Sequence, residues 1–106
     1  MGRIEDRLAD CVGFEWDEAN VEKNWKAHGV TPSEAEDVFF HDPLLIRSDV
    51  QHSQREKRYY SLGESAAGRR LFVAFTIRKR HVRVISVRDM NDRETEAYEK
   101  FEKRSS

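Results

Sequence analysis

Apolar residues in the first half of the chain recur at helical spacing. Asp17 belongs to the residue types that cap helix N-termini, and Gly29 is typical of the position just after a helix. The narrow apolar stripe between them predicts a helix over residues 18–28, carried by Ala19, Val21 and Trp25. Residues 31–34 have the pattern of a capping box. A threonine is followed by a proline, which suits the first helical position, and by a glutamate three places after the threonine. They predict a second helix, which the dipeptide Asp42-Pro43 ends.

From residue 44 onward the pattern changes to short runs rich in β-branched and aromatic residues. Four strands are predicted, over residues 44–48, 58–62, 71–77 and 82–87. Only residues 78–81 separate the last two strands, and this connection is too short for anything but an antiparallel hairpin. Asn91 and Glu94 then have capping-box spacing, which predicts a final helix with a narrow apolar face made of Ala97, Tyr98 and Phe101.

This element order, α-α-β-β-β-β-α, predicts an α+β fold. We expect a four-stranded antiparallel sheet, or five strands if residues 11–14 add a short one, with helices packed on one face. The 106 residues suffice for one domain. Residues 1–13 form a polar leader with weak helical spacing, and residues 14–106 form the single domain.

Composition limits the class of protein. Charged residues make up 37% of the chain, and no apolar run approaches the roughly 18 residues that span a membrane. The single cysteine, Cys11, excludes an internal disulfide framework and a cysteine-rich zinc site. The four histidines have no paired ligand spacing, and no phosphate-loop or dinucleotide motif occurs. We therefore expect a cytoplasmic protein that needs no metal or cofactor and contacts no membrane.

Charge is distributed unevenly along the chain. Residues 69–88 contain seven arginines and lysines and no acidic residue, so this segment carries +7 while the rest carries −8. Such a segment favours a local anion site. The alternative is a basic hairpin paired with the protein's own acidic helices.

The predicted hairpin places two of the arginines together. If Ile77 pairs with Val82, then Arg78 and Arg83 share the sheet face opposite the apolar one, and Arg88 can join them from the rim. Guanidinium groups match the geometry of phosphate oxygens. The hairpin is therefore a candidate phosphate-binding surface.

Several motifs in collinear order, between about residues 14 and 101, resemble the BrnT family. They are the segment FEWDEANVEKNWKAHGVTPSEAEDVFFHDP, the strands R-Y-x-S-x-G and G-R-x-L-x-V-x-x-T-x-R, and finally R-V-I-S-x-R. Members of this family are the toxin halves of bacterial type II toxin–antitoxin pairs. The resemblance implies a RelE-like fold and a metal-independent endoribonuclease that inhibits translation. It also implies an adjacently encoded antitoxin, a BrnA-like DNA-binding protein, and contact with operator DNA only through the antitoxin complex.

Metal-free RNA cleavage requires a base for the 2′-hydroxyl, an acid for the departing 5′-oxygen and cations for the phosphorane. Arg78, Arg83 and Arg88 match the family's basic strand positions and are candidates for holding phosphate. Candidates for proton transfer are His28, since histidine exchanges protons near neutral pH, and Glu94 and Tyr98, which share one helix face. Further candidates for binding RNA are Arg69, Lys79, Arg80 and Lys26.

Each of the proton-transfer candidates has a structural alternative. His28 can be a helix-end residue favoured by the helix dipole, Glu94 can serve only its capping box, and Tyr98 can be a core residue. Asn20 and Ala27 stand where family members often have lysine, which favours a second hypothesis: a non-catalytic module that binds its antitoxin and acts in operon autoregulation. A third, weaker hypothesis is direct DNA binding by the basic hairpin.

Overall fold

The structure is a computed structural model that describes residues 4–52 and 55–105. Its elements in chain order are α1 (Ile4–Ala9), β1 (Gly13–Glu15), α2 (Glu18–His28), α3 (Pro32–Val38), β2 (Leu45–Ser48), a 3₁₀ turn (Val50–His52), β3 (Arg58–Glu64), β4 (Arg70–Arg78), β5 (His81–Asp89) and α4 (Asp92–Ser105).

The helix ends follow from the capping residues in the sequence. The Asp17 carboxylate accepts hydrogen bonds from the first backbone N–H groups of α2, and Gly29 ends the helix with a left-handed φ of 62°. Thr31 and Glu34 form the reciprocal capping box of α3. This helix ends at Val38 rather than at Asp42, because the next three N–H groups bond to carbonyls three residues back and so continue the chain as tight turns.

One five-stranded sheet has the strand order β1-β5-β4-β3-β2. The predicted hairpin is confirmed, with Ile77 opposite Val82. The sheet is mixed rather than purely antiparallel, because β1 pairs parallel to β5, with Phe14 opposite Val82. The short fifth strand, which the sequence left open, therefore exists and lies at the sheet edge.

Side chains of the strands alternate between two faces, which we call the rear and the front face. The rear face carries the main core, in which α1 and α3 pack on strand residues; its strand members include Tyr59, Leu71, Val73, Phe75, Val82 and Val84. The front face carries Arg58, Tyr60, Leu62, Phe72, Thr76 and Arg83.

The final helix does not join the other helices on the rear face. Its residues Tyr98 and Phe101 pack in a second core on the front face, with Leu45, Leu62, Tyr60 and Phe72. The α+β class is confirmed, but the helices lie on both faces of the sheet. Since α4 covers only one end of the front face, the other end stays open, and the arginine-rich part of the hairpin lies there.

The described part of the polar leader contacts the rest of the chain. Ile4, Leu8 and Cys11 pack against the rear core, and the Arg7 guanidinium donates a hydrogen bond to the Tyr59 hydroxyl at 3.0 Å. In residues 4–52 and 55–105, none of the helices is long and apolar enough to cross a membrane.

Candidate functional site

A β-bulge determines which arginines share the front face. Phe75 lies opposite Val84 but Ala74 lies opposite Ser86, so Ile85 is an extra residue in β5. In a regular strand Arg83 and Arg88, five positions apart, would point to opposite faces. The bulge puts both on the front face, separated by roughly 15 Å along the strand.

Arg78 and Arg83 lie together at the open end of the front face, as the sequence predicted. Arg78 donates hydrogen bonds to both carboxylate oxygens of Glu56, and Arg83 donates to Glu15. Asp17 is 3.8 Å from the Arg83 guanidinium. The hydrogen bond from Arg78 holds the pKa of Glu56 below its usual range, and Glu56 is ionised at neutral pH. We call these five residues the hairpin cluster.

A histidine, His81, is the sixth member of the hairpin cluster. His81 lies opposite Arg78 at the start of β5, two residues before Arg83 and on the same face. Its ring packs over Gly13, and its Nδ1 lies 2.9 Å from the Lys79 carbonyl oxygen. A carbonyl can only accept, so Nδ1 carries the proton and Nε2 is left for another partner.

Arg88 belongs to a second group of residues at the far end of β5. Its guanidinium makes two hydrogen bonds to Glu94, of 2.8 and 2.9 Å, and lies 4.0 Å above the centre of the Phe72 ring. Glu94 also accepts from the Asn91 backbone and donates its own N–H to the Asn91 side chain, so its capping box is formed. Burial raises the pKa of Glu94, but the bonds from Arg88 and Asn91 outweigh it and lower the pKa overall.

His28 lies near the same end of β5 as Arg88 and not in the hairpin cluster. It is exposed at the C-terminus of α2, and its charge acts on Asp89, the last residue of β5. Asp17, which contacts Arg83, lies at the other end of the same 11-residue helix, roughly 16 Å away. The predicted site residues therefore do not converge on one place.

Arg69 is fully occupied within the chain. Its five N–H groups donate to both Asp89 carboxylate oxygens, to Glu34 and to the backbone carbonyls of His28 and Gly29. The expectation that Arg69 binds RNA is not supported by this geometry, because no N–H group is left to donate to a phosphate.

Tyr98 has the packing role that the sequence left open. Its side chain is completely buried in the front core, and its hydroxyl donates a hydrogen bond to the Pro43 carbonyl oxygen at 2.9 Å. Burial raises the pKa of Tyr98 to about 12. A hydroxyl so placed does not reach a substrate on the surface.

The remaining RNA-binding candidates are exposed. Lys79 and Arg80 form the two-residue loop of the hairpin, where Arg80 contacts the Asp10 carbonyl oxygen at 3.1 Å. Lys26 lies on the outer side of α2 and pairs with Glu22 at 2.7 Å. The loop is continuous with the hairpin cluster, whereas Lys26 lies apart from both groups.

The acidic members of the hairpin cluster could not be predicted from the sequence. Glu15 reaches Arg83 only because β1 pairs parallel to β5 across 68 positions of sequence. Glu56 precedes β3, and its contact with Arg78 depends on the β3–β4 register. The one available signal was the position of His81, which alternation in the hairpin already places on the arginine face.

Comparisons with known proteins agree with this fold. The family model described as ribonuclease toxin, BrnT, of type II toxin–antitoxin system matches residues 16–94. Among solved structures, the crystal structure of the Brucella abortus ribonuclease toxin BrnT is similar, with a TM-score of 0.56 and 19% sequence identity. The match covers 76% of this chain and 99% of that chain, and at this identity it shows the shared fold. No curated protein sequence matches the chain.

Proposed function

Because this chain belongs to the BrnT family of ribonuclease toxins of type II toxin–antitoxin systems, we propose that it is an endoribonuclease that inhibits translation by cutting RNA without a metal ion. The family match over residues 16–94 carries this proposal. A toxin of this type has an antitoxin partner. We propose that the partner is a BrnA-like DNA-binding protein encoded beside it, and that operator DNA is contacted only through the complex of the two.

The proposed reaction is attack of the RNA 2′-oxygen on the neighbouring phosphorus. The new O2′–P bond forms as the P–O5′ bond breaks, leaving a 2′,3′-cyclic phosphate on one fragment and a 5′-hydroxyl on the other. One proton leaves the 2′-hydroxyl for a base, and one proton is delivered to O5′ by an acid. Cations stabilise the phosphorane between these events.

The hairpin cluster contains a group for each of these tasks. Arg83 and Arg78 bind the phosphate and the phosphorane, and Glu56 accepts the proton of the 2′-hydroxyl. His81 acts in its imidazolium form, which keeps the Nδ1 proton on the Lys79 carbonyl and gives the Nε2 proton to O5′. The supporting observation is that cation, carboxylate and imidazole share one open end of the front face. Arg88, on the same face and further along β5, is assigned to a neighbouring nucleotide.

The ion pairs of the cluster are compatible with this role. The Arg78 and Glu56 side chains are 44% and 41% exposed, and ion pairs exposed to this extent contribute little to stability. A phosphate can therefore take the place of the carboxylate on the guanidinium at small cost. The released carboxylate is then next to the bound nucleotide, as a base must be.

Induced expression and RNA cleavage in EDTA test the proposal. The protein should arrest growth, and the purified protein should produce fragments with 5′-hydroxyl and cyclic phosphate ends. Arg83→Ala and His81→Ala should each reduce the cleavage rate at least 100-fold, the lower bound for loss of a positioned group. Lys23→Ala, which removes an exposed lysine from α2, serves as the control. Undiminished cleavage by Arg83→Ala would exclude the assigned role.

The same experiment distinguishes the two groups of residues. If His28→Ala and Arg88→Ala abolish cleavage while His81→Ala and Arg83→Ala do not, then the reaction takes place at the far end of β5. Glu94→Gln also tests the far end of β5, because it keeps the capping box and removes the negative charge next to Arg88.

A second candidate function is a non-catalytic module that binds the antitoxin and acts in operon autoregulation. The observation that favours it is the pairing of Arg78, Arg83 and Arg88 with the protein's own carboxylates. Asn20 and Ala27, in place of the lysines common in the family, point the same way. In that case induction does not affect growth, whereas the complex with the antitoxin still binds operator DNA.

A further inference from the structure

We propose that a trough beside α4 binds a nucleotide of single-stranded RNA that lies a few positions from the one that is cut. The inference rests on the proposed function and extends it by assigning the position of the flanking RNA. The trough is a cavity of about 240 Å³ between α4 and the end of β2 and β3, on the front face.

Three cations from two different elements meet at this trough. Arg47 comes from β2, and Lys100 and Arg104, which are four residues apart on one face of α4, come from the opposite wall. No acidic residue lines the trough in the part of the chain that the structure describes. This distinguishes it from the hairpin cluster, where a carboxylate holds each arginine.

The cations of the trough are held loosely. Lys100 pairs with Glu96 at 3.2 Å, but both side chains are 70% exposed, so the pair is weak. Arg47 donates to the carbonyl oxygen of its neighbour Ile46, a bond that uses one of its five N–H groups. These groups are available for an anion such as a phosphate.

The floor of the trough is aromatic. Tyr60 and Phe101 line it, and Tyr60 is held flat by stacking on Phe72, with ring centroids 5.3 Å apart and planes inclined by 22°. Aromatic rings beside a cationic wall are the combination that binds single-stranded nucleic acid, because every base has a face that can stack. A free phosphate or an acidic peptide uses the cations but gains nothing from the rings.

The trough is continuous with the proposed reaction site. Tyr60 lies two residues along β3 from Arg58, and Arg58, Thr76 and Arg83 form one row across the front face. Two strand spacings, roughly 10 Å, separate β3 from β5. A strand of RNA held at Arg83 therefore enters the trough within a few nucleotides.

Binding of a fluorescently labelled 2′-O-methyl RNA, which cannot be cut by its own 2′-oxygen, tests this inference separately from cleavage. Arg47→Ala/Arg104→Ala should bind about tenfold more weakly. For this variant, the slope of the logarithm of the RNA-binding constant against the logarithm of salt concentration should be shallower by about 1.4, because two phosphate contacts are lost. With cleavable RNA, KM should rise while kcat stays the same, since the reaction site is intact.

The matched control is Lys23→Ala/Arg93→Ala, which removes two exposed positive charges outside the trough. Equal weakening by both double variants would overturn the proposal, because general charge would then explain the effect. Tyr60→Leu keeps an apolar floor, and it should relieve the quenching of 2-aminopurine in the bound RNA. Thermal melting verifies that each variant is folded.

Other outcomes separate this inference from the proposed function. If the protein does not cut RNA but the trough variants bind the RNA analogue more weakly, RNA binding at the trough stands and the proposed function fails. If cleavage occurs and the trough variants keep the KM of the unmodified protein, the inference is wrong. If the trough variants lose binding to poly-glutamate but bind RNA as the unmodified protein does, the inference is also wrong, and the trough is assigned to an acidic protein segment.

Discussion

Arg69 and Asp89 are joined by two parallel hydrogen bonds, from Nε to Oδ1 at 2.8 Å and from Nη2 to Oδ2 at 3.0 Å. The same guanidinium also donates to Glu34 and to the carbonyl oxygens of His28 and Gly29. One side chain thereby connects the end of β5, the end of α2 and the start of α3. Arg69 therefore stabilises the fold, although it belongs to the most basic segment of the chain.

Arg69→Ala is expected to lower the free energy of unfolding by about 2–3 kcal/mol, because charge-assisted hydrogen bonds are lost and their acceptors are left unpaired. Arg69→Lys should recover little of this, since an ammonium group cannot form the planar fork. Urea unfolding followed by circular dichroism measures both. An unchanged midpoint together with weaker RNA binding would instead return Arg69 to the RNA-binding residues.

Acid should weaken this connection. The hydrogen bond from Arg69 lowers the pKa of Asp89, and the Thr31 backbone, followed by Arg69, lowers the pKa of Glu34. A carboxylate with a lowered pKa in the folded state contributes stability above its unfolded pKa, roughly 4, and loses it as pH falls through the folded value. The urea midpoint of the unmodified protein should therefore decrease as the pH is lowered below about 4.5. It should decrease more steeply than the midpoint of Arg69→Ala. Parallel curves for the two proteins would contradict this.

The tip of the hairpin has an unfavourable backbone. Lys79 and Arg80 have φ values of 50° and 61°, a left-handed pair that two-residue turns usually build from asparagine and glycine. Lys79→Asn/Arg80→Gly should raise stability by about 1 kcal/mol, which corresponds to about 4–8 °C in Tm for a domain of this size. It should also weaken RNA binding, because it removes two charges next to the hairpin cluster. A lower Tm would show that the side chains stabilise the turn more than the backbone opposes it.

Asn24 supports the edge of β5 beyond the end of β1, on the side opposite β4. Its Oδ1 accepts a hydrogen bond from the Val87 N–H at 3.2 Å, in a side chain only 2% exposed. Asn24→Ala should lower the free energy of unfolding by about 1–3 kcal/mol, because this buried N–H loses its partner. Asn20→Ala, on the same helix and half-buried, is the control and should change stability by less than about 0.5 kcal/mol. An equal small gain in stability for both variants would show that only helix propensity changed and that the Asn24 hydrogen bond contributes nothing.

Local features of the fold could be predicted because local residues determine them. The capping boxes at Thr31 and Asn91, and the pairing of Ile77 with Val82, follow from residue types within a few positions of one another. The parallel pairing of β1 and the place of α4 depend on distant segments. Their apolar faces are short, and each fits more than one arrangement.

The candidate site was harder to predict than the fold, for the same reason. Alternation along the hairpin correctly placed Arg78 and Arg83 on one face. It did not reveal the bulge at Ile85 or the acidic partners, because those depend on which distant segments pack beside the hairpin. The make-up of the candidate site therefore depends more than the fold class on contacts between distant segments.

The two positions where relatives often carry lysine offer a test of where the reaction takes place. Asn20 lies in the first turn of α2, next to Asp17, which contacts Arg83. Ala27 is exposed at the other end of the helix, beside His28. If the hairpin cluster is the site, Asn20→Lys should lower KM for RNA severalfold, because its ammonium adds a cation near the bound phosphate. Ala27→Lys adds the same charge roughly 10 Å further along the helix and should have little effect at moderate salt. The reverse order of effects, measured as KM over a range of salt concentrations, would place RNA cleavage at the end of β5 that carries Arg88 and Glu94.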